Sequence, residues 1–181
     1  MNLPNRLTLT RILLIPLFLL IAWLKYPYAD YLAAAVFVLG AATDGLDGYI
    51  ARKSNQVTLL GKFLDPLADK ILVSAALITL VEMGRLSGVI AVVIISREFA
   101  VTGLRAIAAA EGVVLSASKL GKIKMVTQIV AIVALFIRDP LDNFFHIPFA
   151  DIAMAAAVIF TIWSGISYFS GTWKILKKDG Y

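Results

Sequence analysis

Long apolar stretches separated by short polar breaks dominate the chain: Leu7–Leu24, Tyr31–Ile50, Leu67–Met83, Gly88–Ala110, Ile123–Ile137 and Ile147–Phe169. Several approach the roughly 20 residues that a helix needs to cross a bilayer. Backbone polar groups must pair internally in hydrocarbon. These stretches are rich in Ala, Leu and Ile and have no alternating polar register, so helices are expected rather than a barrel. The pattern predicts an all-α integral membrane bundle of six transmembrane helices, forming one domain over residues 1–181. Turn or charge signals mark the breaks, at Lys25-Tyr26-Pro27, Gly84-Arg85 and Arg138-Asp139-Pro140. The longest polar interruptions, Arg52–Lys62 and Glu111–Lys124, follow the second and fourth stretches and therefore fall on one side of the membrane.

Composition sharpens this picture. The chain is 60% hydrophobic and 16% charged, against about 45–50% and about 25% in soluble domains, which argues against a water-soluble monomer. It has no cysteine, so disulfides, thiolate metal sites and a cysteine nucleophile are excluded. The formal charge is +5, but the Lys and Arg residues flank apolar runs instead of forming one basic face, so no nucleic acid partner is expected. Thirteen basic residues lie toward one side: Arg6, Arg11, Arg52, Lys53, Lys62, Lys70, Arg105, Lys119, Lys122, Lys124, Lys174, Lys177 and Lys178. Lys25, Arg85 and Arg138 lie toward the other side, and Arg97 falls mid-span. The positive-inside rule then places both termini in the cytoplasm. A cleavable signal peptide over Arg6–Trp23 is a weaker alternative, because no small-residue cleavage site follows it.

The chemistry concentrates where the second and third stretches meet. Asp44 and Asp47 stand three apart, and Asp65 and Asp69 stand four apart, so each pair shares a helix face. Asp65 and Asp69 are expected at the favourable positive start of a helix, Asp44 and Asp47 near an unfavourable negative end. Four ionised carboxylates close together need cations, and hard oxygen donors without His or Cys select Mg²⁺, Mn²⁺ or Ca²⁺ over zinc. Gly48 and Gly61 leave the backbone bare beside the acids so that a phosphate or nucleotide can approach, and Arg52 offers it a fork. The competing structural explanation is that Arg52, Lys62 and Lys70 simply neutralise these acids. Ionisable groups in membrane spans are functional by default, and four acids at helical spacing framed by glycines favour the functional explanation.

These residues spell D-x2-D-G-x2-A-R-x8-G-x3-D-x3-D, with Asp44, Asp47, Gly48, Ala51, Arg52, Gly61, Asp65 and Asp69 at every fixed position. The string resembles the signature of the CDP-alcohol phosphatidyltransferases. That resemblance implies a six-helix membrane fold, usually a homodimer, with two divalent ions (Mg²⁺ or Mn²⁺) held by Asp44, Asp47, Asp65 and Asp69. It implies Asp69 as the base for the attacking hydroxyl, and contacts from Gly48, Ala51, Arg52 and Gly61 to the CDP group, to which Asn5 and Thr8 are added.

Further segments are similar to members of that family that use a phosphorylated glycerol acceptor. They are Pro4-Asn5 with Thr8 and Arg11, Ser96 to Arg105, and Leu120-Gly121-Lys122-Ile123-Lys124. The resemblance thus covers nearly the whole chain; Met125 departs from it, standing where Thr is common. It implies transfer of the phosphatidyl group from CDP-diacylglycerol to sn-glycerol 3-phosphate, among membrane lipids, at the cytoplasmic face of a bacterial plasma membrane.

The fourth stretch is unusual on its own terms. Arg97 lies mid-span and Arg105 follows eight residues later on a broadly similar face, about 12 Å away at 1.5 Å per residue. Such a column calls for an anion, and Arg97, Arg105, Lys122 and Lys124 are the candidates for the acceptor phosphate. The alternative is that Arg97 and Glu98 only tie helices together. Neighbours in a helix do not face each other, so Glu98 is expected to pair elsewhere. His146 is expected to be inert in an outer loop. Trp163, Tyr168, Trp173 and Tyr181 are expected as interfacial anchors, and Gly165, Gly171 and the alanine runs at 33–35 and 155–157 as packing surfaces. Related acceptors (serine, inositol, phosphatidylglycerol), a membrane prenyltransferase and a cation-coupled transporter are the rival functions.

Overall fold

The computed structural model describes residues 3–24, 26–54, 59–110 and 119–178, with side chains described over 9–24, 26–43, 67–109 and 119–171. Among the described residues there are seven helices and no strand: α1 Leu3–Trp23, α2 Ala29–Ser54, α3 Leu59–Glu82, α4 Gly88–Ala110, α5 Lys119–Phe136, α6 Arg138–Phe145 and α7 Phe149–Lys178. Six of these correspond to the six apolar stretches. The seventh, α6, is a correction: the sequence marks Arg138-Asp139-Pro140 as a turn, and a short helix begins there. Pro140 and Asp139 both suit a first helical turn, where an N–H is dispensable and negative charge is favoured. The chain bends by 98° between α5 and α6, and His146 closes α6 with φ of 55°. Arg138 holds the corner by bonding Asp142 (3.3 Å) and, on α7, Asp151.

A second correction concerns the acids. α2 continues to Ser54 and α3 starts at Leu59, so Asp44, Asp47, Asp65 and Asp69 lie inside helices and not at their ends. The field of a helix terminus fades within one turn, so it contributes little at Asp44, Asp47 and Asp69.

Packing centres on Phe18 of α1, which is fully buried and meets Phe37 of α2 at 6.4 Å and Phe136 of α5 edge-on at 5.7 Å. Leu72, Leu77 and Leu80 of α3 and Ile94 of α4 complete this core with small Ala33, Ala34, Ala131 and Ala157 between the helices. α5 lies along α7, α1 along α2 and α3, and α4 against α3 and α7. The expected alanine packing surfaces are realised in part, with Ala33, Ala34 and Ala157 buried and Ala35 and Ala155 exposed.

The outward faces are equally apolar. Leu13, Leu17, Leu20, Trp23 and Leu24 are 43–79% exposed, an arrangement that water disfavours and a bilayer does not. Among the described residues, Phe149–Gly171 (23 residues) is the helix long and apolar enough by itself to cross a membrane, and α5 with α6 forms a second candidate if the bend is one broken span.

The polar contacts sort to opposite ends. At one end Arg85, in the α3–α4 turn, donates to Asp30 at the start of α2 (2.5 Å) and to the Phe136 carbonyl that ends α5 (2.9 Å). This clamp satisfies one of the orphan carbonyls at a helix C-terminus. The other end carries the candidate chemistry.

Candidate functional site

α2 and α3 approach each other through the smallest possible side chain. A Cβ on Gly40 would lie 2.5 Å from Leu72 Cδ2, so only glycine fits there without displacing a buried leucine. Asp44 follows Gly40 by one turn and Asp69 precedes Leu72 by one turn. The two acid-bearing helices are therefore drawn together one turn from Asp44 and Asp69. Thr43 bonds the Gly40 carbonyl at 2.7 Å, keeping its hydroxyl satisfied within the helix.

Asp69 is partly buried. The side chains of Asp44, Asp47 and Asp65 lie outside the described residues, as do those of Asn5, Thr8, Gly48, Ala51, Arg52 and Gly61, so their roles rest on sequence. Among the described residues no group of three His, Asp or Glu gathers to hold a metal. The donor set itself, four carboxylates on two helices held together by the Gly40–Leu72 contact, has the chemistry of a hard divalent-cation site.

Asp69 opens onto a cavity of about 230 Å³ whose walls include Lys70, Arg97, Glu98, Thr102, Arg105, Gly121, Lys122, Lys124, Met125 and Tyr168. All four predicted acceptor-phosphate residues line it together with the predicted base. Five cationic side chains face two carboxylates there, a surplus suited to a phosphate monoester carrying about −1.5 to −2 charges. A larger cavity of about 690 Å³ lies beside Trp23, Asp30 and Met83 at the opposite end. Among the described residues its charged lining is Asp30 and Glu82, a poorer match to an anion than the five cations of the polar cavity.

Within the polar cavity the charges are organised by Glu98. Its Oε1 accepts from Lys124 Nζ at 2.6 Å and from Arg97 Nη1 at 3.1 Å. Glu98 thus finds its partner on another helix, as expected from sequence, and meets its neighbour as well: the long arginine side chain curls back to it although successive residues do not face each other on a helix. Lys124 is 5% exposed, and a lysine so buried is tolerated only with a carboxylate partner. Arg97 and Glu98 do tie helices together, yet both still line the cavity, so the structural and the binding explanations describe the same residues.

On α7, Ser164 Oγ takes Arg97 Nη2 at 2.9 Å and Tyr168 places its ring centroid 6.0 Å from the Arg97 carbon. Tyr168, expected from sequence as an interfacial anchor, forms a wall of the site. Trp163 is exposed and stacks on Phe160, while Trp173 and Tyr181 lie outside the described side chains. Sequence reasoning missed Ser164 and Tyr168. The signal was present as Ser164 and Tyr168, four apart and so on one helix face, flanking Gly165. Arg11 is fully buried in α1, whereas His146 is exposed at the far end, away from the acids.

The family described as CDP-alcohol phosphatidyltransferase matches residues 1–163. A protein of Bacillus subtilis (strain 168) named CDP-diacylglycerol--glycerol-3-phosphate 3-phosphatidyltransferase is 48% identical, over 98% of this chain and 98% of its own length. Proteins of the same name from Pseudomonas fluorescens and Escherichia coli (strain K12) are 40% and 37% identical, covering 99% and 93% of this chain and 94% and 93% of their own lengths.

Proposed function

The chain belongs to the CDP-alcohol phosphatidyltransferase family, and from that premise we propose that it transfers the phosphatidyl group of CDP-diacylglycerol to sn-glycerol 3-phosphate, yielding phosphatidylglycerol phosphate and CMP. The observation that carries this choice of acceptor is the cavity in which Asp69 meets Arg97, Arg105, Lys122 and Lys124. Serine, inositol or phosphatidylglycerol would leave that cationic surplus without a phosphate monoester to offset it.

Arg97, Arg105 and Lys122 bind the acceptor phosphate, while Lys124 supports Arg97 through their common Glu98. Holding the acceptor by its phosphate orients a glycerol hydroxyl toward Asp69, converting an encounter of two molecules into a positioned attack. Asp69 takes the hydroxyl proton as the oxygen attacks the lipid-linked phosphorus. The bond from that phosphorus to the bridging oxygen breaks, and CMP leaves with that oxygen. Arg52, with Gly48, Ala51, Gly61, Asn5 and Thr8, holds the CDP group. When bound, a pair of Mg²⁺ or Mn²⁺ ions on Asp44, Asp47, Asp65 and Asp69 supplies charge compensation for the diphosphate.

We further read the chain as a six-span homodimer in a bacterial cytoplasmic membrane, with both termini and the cavity on the cytoplasmic side. The exposed leucines of α1 support the membrane placement, and the bias of Lys and Arg toward one side supports the orientation. A greasy donor then enters sideways from the lipid and a soluble acceptor from water.

The test supplies purified protein with CDP-diacylglycerol and one acceptor at a time, with and without Mg²⁺. CMP formation with glycerol 3-phosphate, dependent on the metal, is expected. Equal CMP formation with glycerol, serine or inositol would overturn the acceptor assignment, and none with any acceptor would overturn the transferase.

A further inference from the structure

The helix α7 carries none of the family's aspartates, yet it grips Arg97, one of the two arginines that line the polar cavity. Ser164 has a single proton, which it donates to the Thr161 carbonyl at 3.1 Å. Its lone pairs are thereby committed to face Arg97 Nη2, 2.9 Å away. Ser164 is fully buried, so water does not compete for that bond. Gly165 is buried against the arginine's stem, where a Cβ would sit 3.3 Å from Arg97 Cγ and 3.8 Å from Nε. Tyr168, one turn beyond Ser164, lies under the guanidinium. Glu98 holds the other arm, Nη1.

A free arginine side chain samples many rotamers, and its value to a phosphate lies in a planar fork presented in one orientation. We propose that Ser164, Gly165 and Tyr168 of α7 are positioning residues that fix the plane of the Arg97 guanidinium for the phosphate of the acceptor. None of the three needs to touch substrate; they act through Arg97. This rests on the assignment of the cavity to the acceptor phosphate. Its consequence is a division of labour: α2 and α3 handle the nucleotide lipid, while α7, through α4, governs affinity for the second substrate. Losing the Ser164 acceptor lets Nη2 swing, with the opposing Glu98 carboxylate drawing the head away from the ligand. Losing the ring beneath it removes a cation–π contact that is worth most where water is excluded.

The test is carried out on the full chain in lipid nanodiscs. Kinetics are measured for Ser164→Ala, Ser164→Thr, Tyr168→Phe and Tyr168→Leu, and calorimetry measures binding of glycerol 3-phosphate and of inorganic phosphate. Ser164→Ala and Tyr168→Leu are expected to raise the KM for glycerol 3-phosphate about 5–20-fold and to weaken its calorimetric binding by a similar factor, the first through a lost hydrogen bond and the second through a lost cation–π contact. The KM for CDP-diacylglycerol stays within twofold of the parent. Ser164→Thr, which keeps the hydroxyl, and Tyr168→Phe, which keeps the ring, are expected to stay near parental values. An unchanged acceptor KM in Ser164→Ala and Tyr168→Leu, or an equal rise in both KM values, overturns the proposal. So does the absence of phosphate-monoester binding by the parent chain. If the parent binds glycerol 3-phosphate but releases no CMP, and the variants weaken that binding as expected, the positioning role stands and the transferase assignment falls.

Discussion

Lys124 of α5 and Glu98 of α4 meet at 2.6 Å, and the same carboxylate oxygen also serves Arg97 at 3.1 Å. One acid thus offsets the repulsion between buried Lys124 and partly buried Arg97, and it links α4 to α5, which among the described residues do not otherwise pack against each other. Glu98→Ala leaves both without that partner, and removing one member of a buried pair costs about 3–5 kcal/mol. Early thermal inactivation in detergent is the expected result. Restoring parental stability with Glu98→Ala combined with Lys124→Met would show that the loss arises from the stranded charge.

Asp69 is the proposed base at the mouth of the cavity. Asp69→Asn keeps the size of the side chain while removing its charge and basicity, so CMP formation is expected to fall by about 10²–10⁴-fold. A variant retaining the parental rate would assign the proton transfer to another group.

Chelation provides a separate check on the four aspartates. EDTA is expected to abolish CMP release and added Mg²⁺ or Mn²⁺ to restore it, because carboxylates clustered this way depend on hard cations. Full activity in EDTA would remove the metal from the proposal.

At the far end, Arg85 bridges Asp30 and the Phe136 carbonyl. Arg85→Ala is expected to lower stability by about 1–3 kcal/mol, mainly by leaving a partly buried carboxylate and carbonyl unsatisfied. Both KM values should remain parental, since this clamp is at the opposite end of the bundle from the polar cavity. A selective rise in acceptor KM would show coupling between the ends that the contacts do not provide.

The contact between α2 and α3 yields a steric prediction. Gly40→Val forces atoms into the space of Leu72, and overpacking of this kind costs about 1–3 kcal/mol. Lower CMP formation is expected along with lower stability, and Leu72→Ala in the same chain should recover part of both. Equal activity in Gly40→Val and the parent would show that the helices tolerate a wider gap.

Much of this was readable in the chain itself, for identifiable reasons. Six apolar stretches became six long helices because backbone pairing leaves few alternatives where water is scarce. Arg97 and Arg105, eight residues apart in one helix, line the same cavity as their spacing predicts. Helix ends were less legible: Arg52, Lys53 and Lys62 look like loop residues by polarity, yet α2 runs to Ser54 and α3 starts at Leu59, since Arg and Lys are good helix formers. α6 escaped notice because Pro140 reads equally well as a turn or as a first helical turn. Tyr168 and the Arg97–Glu98 contact depend on side-chain reach and on which face of α7 meets α4, and neither is encoded in spacing along a single segment.

The missing side chain at Gly40 has one more implication. The separation of α2 from α3 is fixed by a hydrocarbon branch resting on bare backbone, one turn from Asp44 and Asp69. Neither a charge nor a ligand takes part in that contact. Whatever those carboxylates receive therefore arrives at a gap already set during folding, and its affinity is not spent on drawing two helices together.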